Sequence, residues 1–175
     1  MTRRHAMGTP FHFEHRFRAP SPAVVLAAYF DDAHRDEQDR ATDIARREVR
    51  EDVDGPTERR RVSRVFPRRQ LPAVVRAVVR GDLSFDETII WVKAADRIDF
   101  DIRPLLLDGR ARIEARYQLT ATGPGEVLRT YAGTVAVDVR LLGGRIERTI
   151  VDDLERSLAT AAALTQAYLD RGGPA

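Results

Sequence analysis

The chain has 175 residues, 43% of them hydrophobic and 32% charged, and 29 Lys and Arg against 27 Asp and Glu leave a formal net charge of +2. That is the make-up of a soluble globular domain with a sizeable core, and so balanced a charge implies little about nucleic acid. The absence of cysteine excludes disulfides, cysteine nucleophiles and thiolate metal sites and fits a reducing compartment, while no apolar run approaches the roughly 20 residues that span a bilayer, so stable membrane insertion is not expected.

Residues 1–10 include Arg3 and Arg4 with no apolar stretch behind them. That is not a signal peptide; it reads as a flexible arm of a cytoplasmic protein, ahead of a single domain over 11–171. From 11 to 18 the residues alternate, with Phe11, Phe13, His15 and Phe17 on one face and His12, Glu14, Arg16 and Arg18 on the other. This is a half-buried strand. Ser21 and Pro22 supply an N-cap and a first-turn proline for a short helix through Phe30. The polar stretch 31–45 reads as a second short helix or helical turn. Residues 47–54 and 57–66 read as strands joined at Gly55-Pro56. The stretch 70–81 carries Leu71, Val74, Val75, Val78 and Val79 at helical spacing behind Pro72. It reads as a short amphipathic helix or lid, although its valines also permit a strand.

Strands follow over 83–93, 97–103, 111–121 and, after the turn Gly123-Pro124-Gly125, 127–139. On the first of these the pattern leaves open which set faces the core: Phe85, Glu87, Ile89 and Trp91, or Ile90 and Val92. Gly143-Gly144 then ends the strand and opens one long helix over 142–169. Its Leu142, Ile146, Ile150, Leu154, Leu158, Ala162 and Leu169 draw an apolar stripe along roughly 40 Å. Arg171 and Gly172 suit its last turn and its stop. A strand, two short helices, a run of strands and a long helix make an α+β fold with an antiparallel sheet.

Particular residues add to this order. Thr130-Tyr131-Ala132-Gly133-Thr134-Val135-Ala136-Val137 leads into Leu141-Leu142-Gly143-Gly144-Arg145-Ile146-Glu147, and Ala19-Pro20-Ser21-Pro22-Ala23-Val24-Val25 leads into the first helix. Both runs resemble a bacterial family of unknown function within the START-like superfamily, also called helix-grip or birch-pollen-allergen-like. The resemblance runs from Phe11 to Leu169 and rests on order more than on any one motif; Arg140 stands where a proline is expected. It implies a curved, seven-stranded antiparallel sheet wrapped around the long C-terminal helix, with two short helices after the first strand and a cavity between sheet and helix. Relatives of that shape include lipid carriers, hormone and steroid binders, polyketide aromatases or cyclases, and interaction modules, so the fold narrows shape far more than function.

Such a cavity would be lined from the sheet by Phe13, His15, Phe17, Phe100, Tyr117 and Tyr131, with Trp91 as a further candidate, and from the helix by Leu154, Leu158 and Ala162. The small Ala159, Ala161, Ala162 and Ala163 would leave space beside the sheet; close packing is the plainer reading of each residue alone. His15, on an apolar face, suits a ligand oxygen or general-base work, or is simply satisfied by a polar neighbour. His5, His12 and His34 are expected at the surface. No pair of histidines has metal-ligand spacing, and neither metal nor cofactor is expected. Tyr117 and Tyr131 either place phenols in the cavity or send their hydroxyls to the surface.

The run Arg59, Arg60, Arg61, Arg64, Arg68 and Arg69 follows a strand carrying Glu48, Glu51, Asp52 and Asp54. It reads as a charge-paired, solvated face and not as a nucleic-acid or membrane surface. Asp99, Asp101 and Arg103 are expected to face water, and Glu147 to stabilise the helix start. No catalytic set emerges. The leading function is therefore a carrier or sensor of an apolar or amphipathic small molecule, lipids among them. The alternatives are an enzyme of the polyketide cyclase or aromatase type using His15, Tyr117 or Tyr131 as acid or base, and a protein-interaction module without ligand.

Overall fold

The computed structural model describes residues 8–68, 73–76 and 83–173. Its strands are β1 (Thr9–Arg18), β2 (Ile44–Asp54), β3 (Glu58–Pro67), β4 (Phe85–Val92), β5 (Arg97–Pro104), β6 (Ala111–Gly123) and β7 (Glu126–Val137). They form one antiparallel sheet in the spatial order β1-β7-β6-β5-β4-β3-β2. Helices α1 (Pro22–Phe30) and α2 (Asp32–Ala41) separate β1 from β2, a single turn α3 (Ala73–Arg76) lies between β3 and β4, and α4 (Gly143–Asp170) follows the sheet. This is the helix-grip arrangement expected. Of the arm expected over 1–10, residues 1–7 lie outside the described residues and Thr9 and Pro10 already belong to β1. The lid expected over 70–81 lies outside them too, apart from α3.

Alternation sets the inner face. On β6, Ala111, Ile113, Ala115, Tyr117 and Leu119 are buried between exposed Arg112, Glu114 and Arg116. The open question on β4 resolves by register: Ile89 and Trp91 stand opposite Phe100 and Ile98 of β5, so Phe85, Glu87, Ile89 and Trp91 face inward. Glu87 is tolerated there because Arg47 Nη1 donates to its Oε1 at 2.5 Å. At Gly133 a Cβ would lie 2.2 Å from the Glu114 carbonyl oxygen, so β6 and β7 approach there as only glycine permits.

The helices differ from expectation in three places. Ser21 is the N-cap of α1 but makes no side-chain cap bond, so the helix starts on the fixed φ of Pro22. His34 is not at the surface: it is 1% exposed, because α2 packs on α4. Its Nε2 lies 3.1 Å from Thr165 Oγ1 and its ring stacks on Tyr168 at 4.4 Å. Ala159 and Ala163 point outward and leave no space beside the sheet.

Glu147 does more than favour the helix dipole. It is buried; Oε1 accepts from the Val137 N–H at 2.9 Å and Oε2 from the Thr9 hydroxyl at 2.7 Å, tying α4 to β7 and β1. On the outer face Asp99 accepts from Arg97 and Arg116, and Asp101 from Arg103 and Arg112, as expected of a solvated ladder. In the β2–β3 hairpin Arg59 binds Asp52 and Arg60 binds Glu51, while Arg64 turns to Asp86 of β4. Arg61 departs from the solvated reading: it faces inward, 4% exposed, and is held by Asp52 at 2.7 Å. None of the described helices is long and apolar enough to cross a membrane.

Candidate ligand-binding site

Strand register collects the inward side chains into rows. One row runs Phe13, Tyr131, Tyr117, Ile98, Trp91 across β1, β7, β6, β5 and β4. The next runs Phe11, Gly133, Ala115, Phe100, Ile89 over the same strands. A third places His15 opposite Arg129, and Arg129 opposite Leu119. Four of the expected site residues therefore share one row, and Phe100 joins them from the next. Tyr131 sits at the centre of the aromatic cluster, 5.3 Å from Phe100, 5.7 Å from Phe11 and 6.4 Å from Tyr117 between ring centroids. Phe100 and Tyr117 meet the Tyr131 ring edge-to-face, whereas Phe11 stacks on it.

Two expected residues lie apart from this cluster. Trp91 is covered by α1, its ring stacked on Phe30 at 5.3 Å, with Nε1 buried and without a partner. Phe17 is closed core, 1% exposed. From α4, Ala162 is buried while Leu154 and Leu158 are half-buried, as are Phe13 and His15 of β1. Ile150 and Val151 are half-buried as well. These residues belong to faces that the fold turns inward, yet solvent still touches them. Phe13 of β1 and Ile150, Val151, Leu154 and Leu158 of α4 are apolar and pack against the core.

Several polar residues of the interior went unnoticed in the sequence. Arg129 is 4% exposed. Its Nη2 donates to His15 Nδ1 at 2.8 Å and to the Leu158 carbonyl at 3.1 Å, and its guanidinium lies over the Phe17 and Tyr117 rings at 5.4 and 5.5 Å from their centroids. The signal was present: within Val127, Arg129, Tyr131, Val135 and Val137, one charge breaks the inward apolar phase of β7. Tyr29 of α1, which has no strand pattern to betray it, covers Tyr117 at 5.6 Å and Phe100 at 6.2 Å.

Beneath α1 and α2 lies a polar recess of about 60 Å³ lined by Tyr29, Arg35, Gln38, Asp39, Arg47, Arg61, Glu87 and Ile89. Burial opposes the Arg47 charge, but Glu87 and Asp39 more than offset it and hold its pKa above the usual value. The recess has room for about two waters. A second space, a groove of about 550 Å³, runs outside the sheet between α1 and the C-terminal end of α4, along Ala19, Ala23, Ala27 and Leu169.

The electrostatics define what the interior can do. Burial raises the pKa of Tyr29, Tyr117 and Tyr131, so all three are neutral phenols, a form able both to donate and to accept a hydrogen bond. Burial, and then the Arg129 charge, lower His15 to about 4, so its ring is neutral near pH 7. Arg129 is a fixed cation. Among the described residues no three His, Asp or Glu side chains gather as a metal site requires.

Comparison with known proteins agrees on the fold. Norcoclaurine synthase from Thalictrum flavum, solved with dopamine and hydroxybenzaldehyde, superposes with a TM-score of 0.65 at 14% identity, covering 100% of this chain and 97% of that one. A START superfamily protein from Mycobacterium smegmatis gives 0.60 at 11% identity over 94% and 99% of the two chains. An aromatase/cyclase from Streptomyces sp. R1128 gives 0.59 at 11% over 95% and 100%. At such identities the likeness is one of fold, and the fold is START-like. No curated protein matches the sequence. A family model described as Protein of unknown function (DUF2505) matches residues 12–169.

Proposed function

We propose that this chain, which belongs to the DUF2505 family, binds an apolar or amphipathic small molecule between the inner face of its sheet and α4, as a carrier or sensor. The observation that carries this reading is the half-burial of Phe13, Leu154 and Leu158 on faces turned inward. A domain of this size has enough core to bury such side chains fully. We read these partly open apolar side chains as the wall of a cleft between β1 and α4, the common form of a small-molecule site. Dopamine and hydroxybenzaldehyde, bound by norcoclaurine synthase of similar fold, are compatible in size and character. Lipids belong to the same range.

Native mass spectrometry of gently purified protein, followed by organic extraction, tests the reading. A discrete bound compound that is lost when Leu158→Trp fills the cleft supports it. A clean apo mass, with no uptake from a panel of lipids and aromatic compounds, sinks it and favours the interaction-module alternative.

One observation favours a second reading, an enzyme of the cyclase or aromatase type: His15 and Tyr117 both meet Arg129. Neutral acid–base groups beside a fixed cation suit stabilisation of an enolate. Chemical conversion of a bound polyketide-like substrate that disappears in both His15→Asn and Tyr117→Phe, with binding retained, would establish it.

A further inference from the structure

The inner face of β7 carries one charge. Arg129 is 4% exposed, as is Arg61 two strands beyond the sheet centre, but the two are satisfied differently. Arg61 has the Asp52 carboxylate at 2.7 Å, and half-buried Arg47 has both Asp39 and Glu87. The Arg129 side chain meets only neutral groups: it donates to the His15 imidazole and the Leu158 carbonyl, and the Tyr117 hydroxyl lies within its reach. Its Nε is buried without any partner. Among the described residues no carboxylate forms an ion pair with it. A guanidinium withdrawn from water with no counter-charge is one of the costlier things a core can hold. Aromatic faces at 5.4 and 5.5 Å offset only part of that cost.

The surroundings say where a counter-charge would come from. His15, the acceptor on Nη2, is half-buried and lies on β1, two residues from half-buried Phe13 on the same inward face. Leu158, whose carbonyl is the other acceptor, presents a half-buried side chain one turn from Leu154. The cleft surface therefore leads directly to the arginine. A ligand lying along Phe13, Leu154 and Leu158 would bring its end group to His15. Exchanging the neutral Nδ1 for an oxyanion would give Arg129 the charge it lacks.

We propose that Arg129 is the recognition residue for the carboxylate of an amphipathic monocarboxylic acid whose apolar body occupies the cleft. This rests on the cleft being a binding site, and it adds the chemical class of the ligand.

The test uses matched pairs that differ only at the end group: dodecanoate against 1-dodecanol, and 2-naphthoate against 2-naphthalenemethanol, titrated by calorimetry at pH 7.5 below micellar concentrations. At least one acid should bind about tenfold more tightly than its alcohol, the size of one charge-assisted hydrogen bond. Arg129→Met should abolish that preference and leave alcohol binding intact. The same substitution should leave the melting temperature of the free protein unchanged or raised, since it removes an unpaired charge; a purely structural arginine would lower it. If Arg129→Met does not fold, Arg129→Lys replaces it and should retain only part of the preference. Acid and alcohol binding alike, or a preference that survives Arg129→Met, overturns the proposal while the cleft reading stands. No binding by any of the four compounds overturns both.

Discussion

His15 and Glu147 show how single side chains couple this fold to its surroundings. An unfolded histidine takes up its proton near pH 6.5, whereas folded His15 resists until about 4. Between those values the unfolded chain binds more protons, so stability falls as pH drops from 6.5 towards 4. Burial lowers His34 in the same direction. Urea melts at pH 7.5 and 4.5 should differ most for the native sequence and less for His15→Gln. Glu147 acts through its two bonds: Glu147→Leu leaves the Val137 N–H and Thr9 hydroxyl without their acceptor and should cost about 2–4 kcal/mol, against about 1 for Glu147→Gln, which keeps one oxygen. Denaturant unfolding followed by Trp91 fluorescence measures both. The sequence made the alternating residues legible, Phe13, Tyr117 and Tyr131 above all, because inward phase follows from period-two patterning. It hid His34, since α2 is polar along most of its length and only contact with Thr165 and Tyr168, more than a hundred positions away, buries the ring. It also obscured the inward face of β4, because Glu87 argued against the Trp91 side until Arg47 was seen beside it.

At the level of elements, the close approach of β6 and β7 carries a specific vulnerability. Any side chain at Gly133 must push against the Glu114 carbonyl and the Ala115 Cα, and neither is the end of a flexible side chain. Gly133→Ala should therefore lower stability by about 1–3 kcal/mol, the cost of overpacking a filled interior. A shift in denaturation midpoint with an unchanged m-value is the signature to look for. The elements themselves were almost all readable. The seven expected strands fall within three residues of their observed limits, and α4 begins and ends within a residue of the apolar stripe. The lateral order of the strands was not readable from local pattern. Only the resemblance supplied the return of β7 to β1, because register between distant strands leaves no local trace in composition.

At the scale of the whole molecule, one consequence follows from β1 lying at the sheet edge, paired with the strand β7. It also packs against α4, through Thr9 to Glu147 and through the Arg18 backbone N–H, which donates to Gln166 at 2.8 Å. Removing residues 1–18 should uncover Tyr131, Arg129 and the α4 stripe together and prevent folding. Near-ultraviolet circular dichroism of the shortened chain should lack the tertiary signal; a native-like spectrum would mean that β1 is dispensable. The same closure sets a timetable for synthesis. Arg16 and its partner Glu126 are 110 positions apart. At about 5–20 residues per second, a nascent chain waits on the order of 5–20 s between making its first strand and the strand that completes it. For much of that interval Phe11, Phe13 and Phe17 are exposed without their partners, which makes this segment of the nascent chain a natural client for a holdase chaperone.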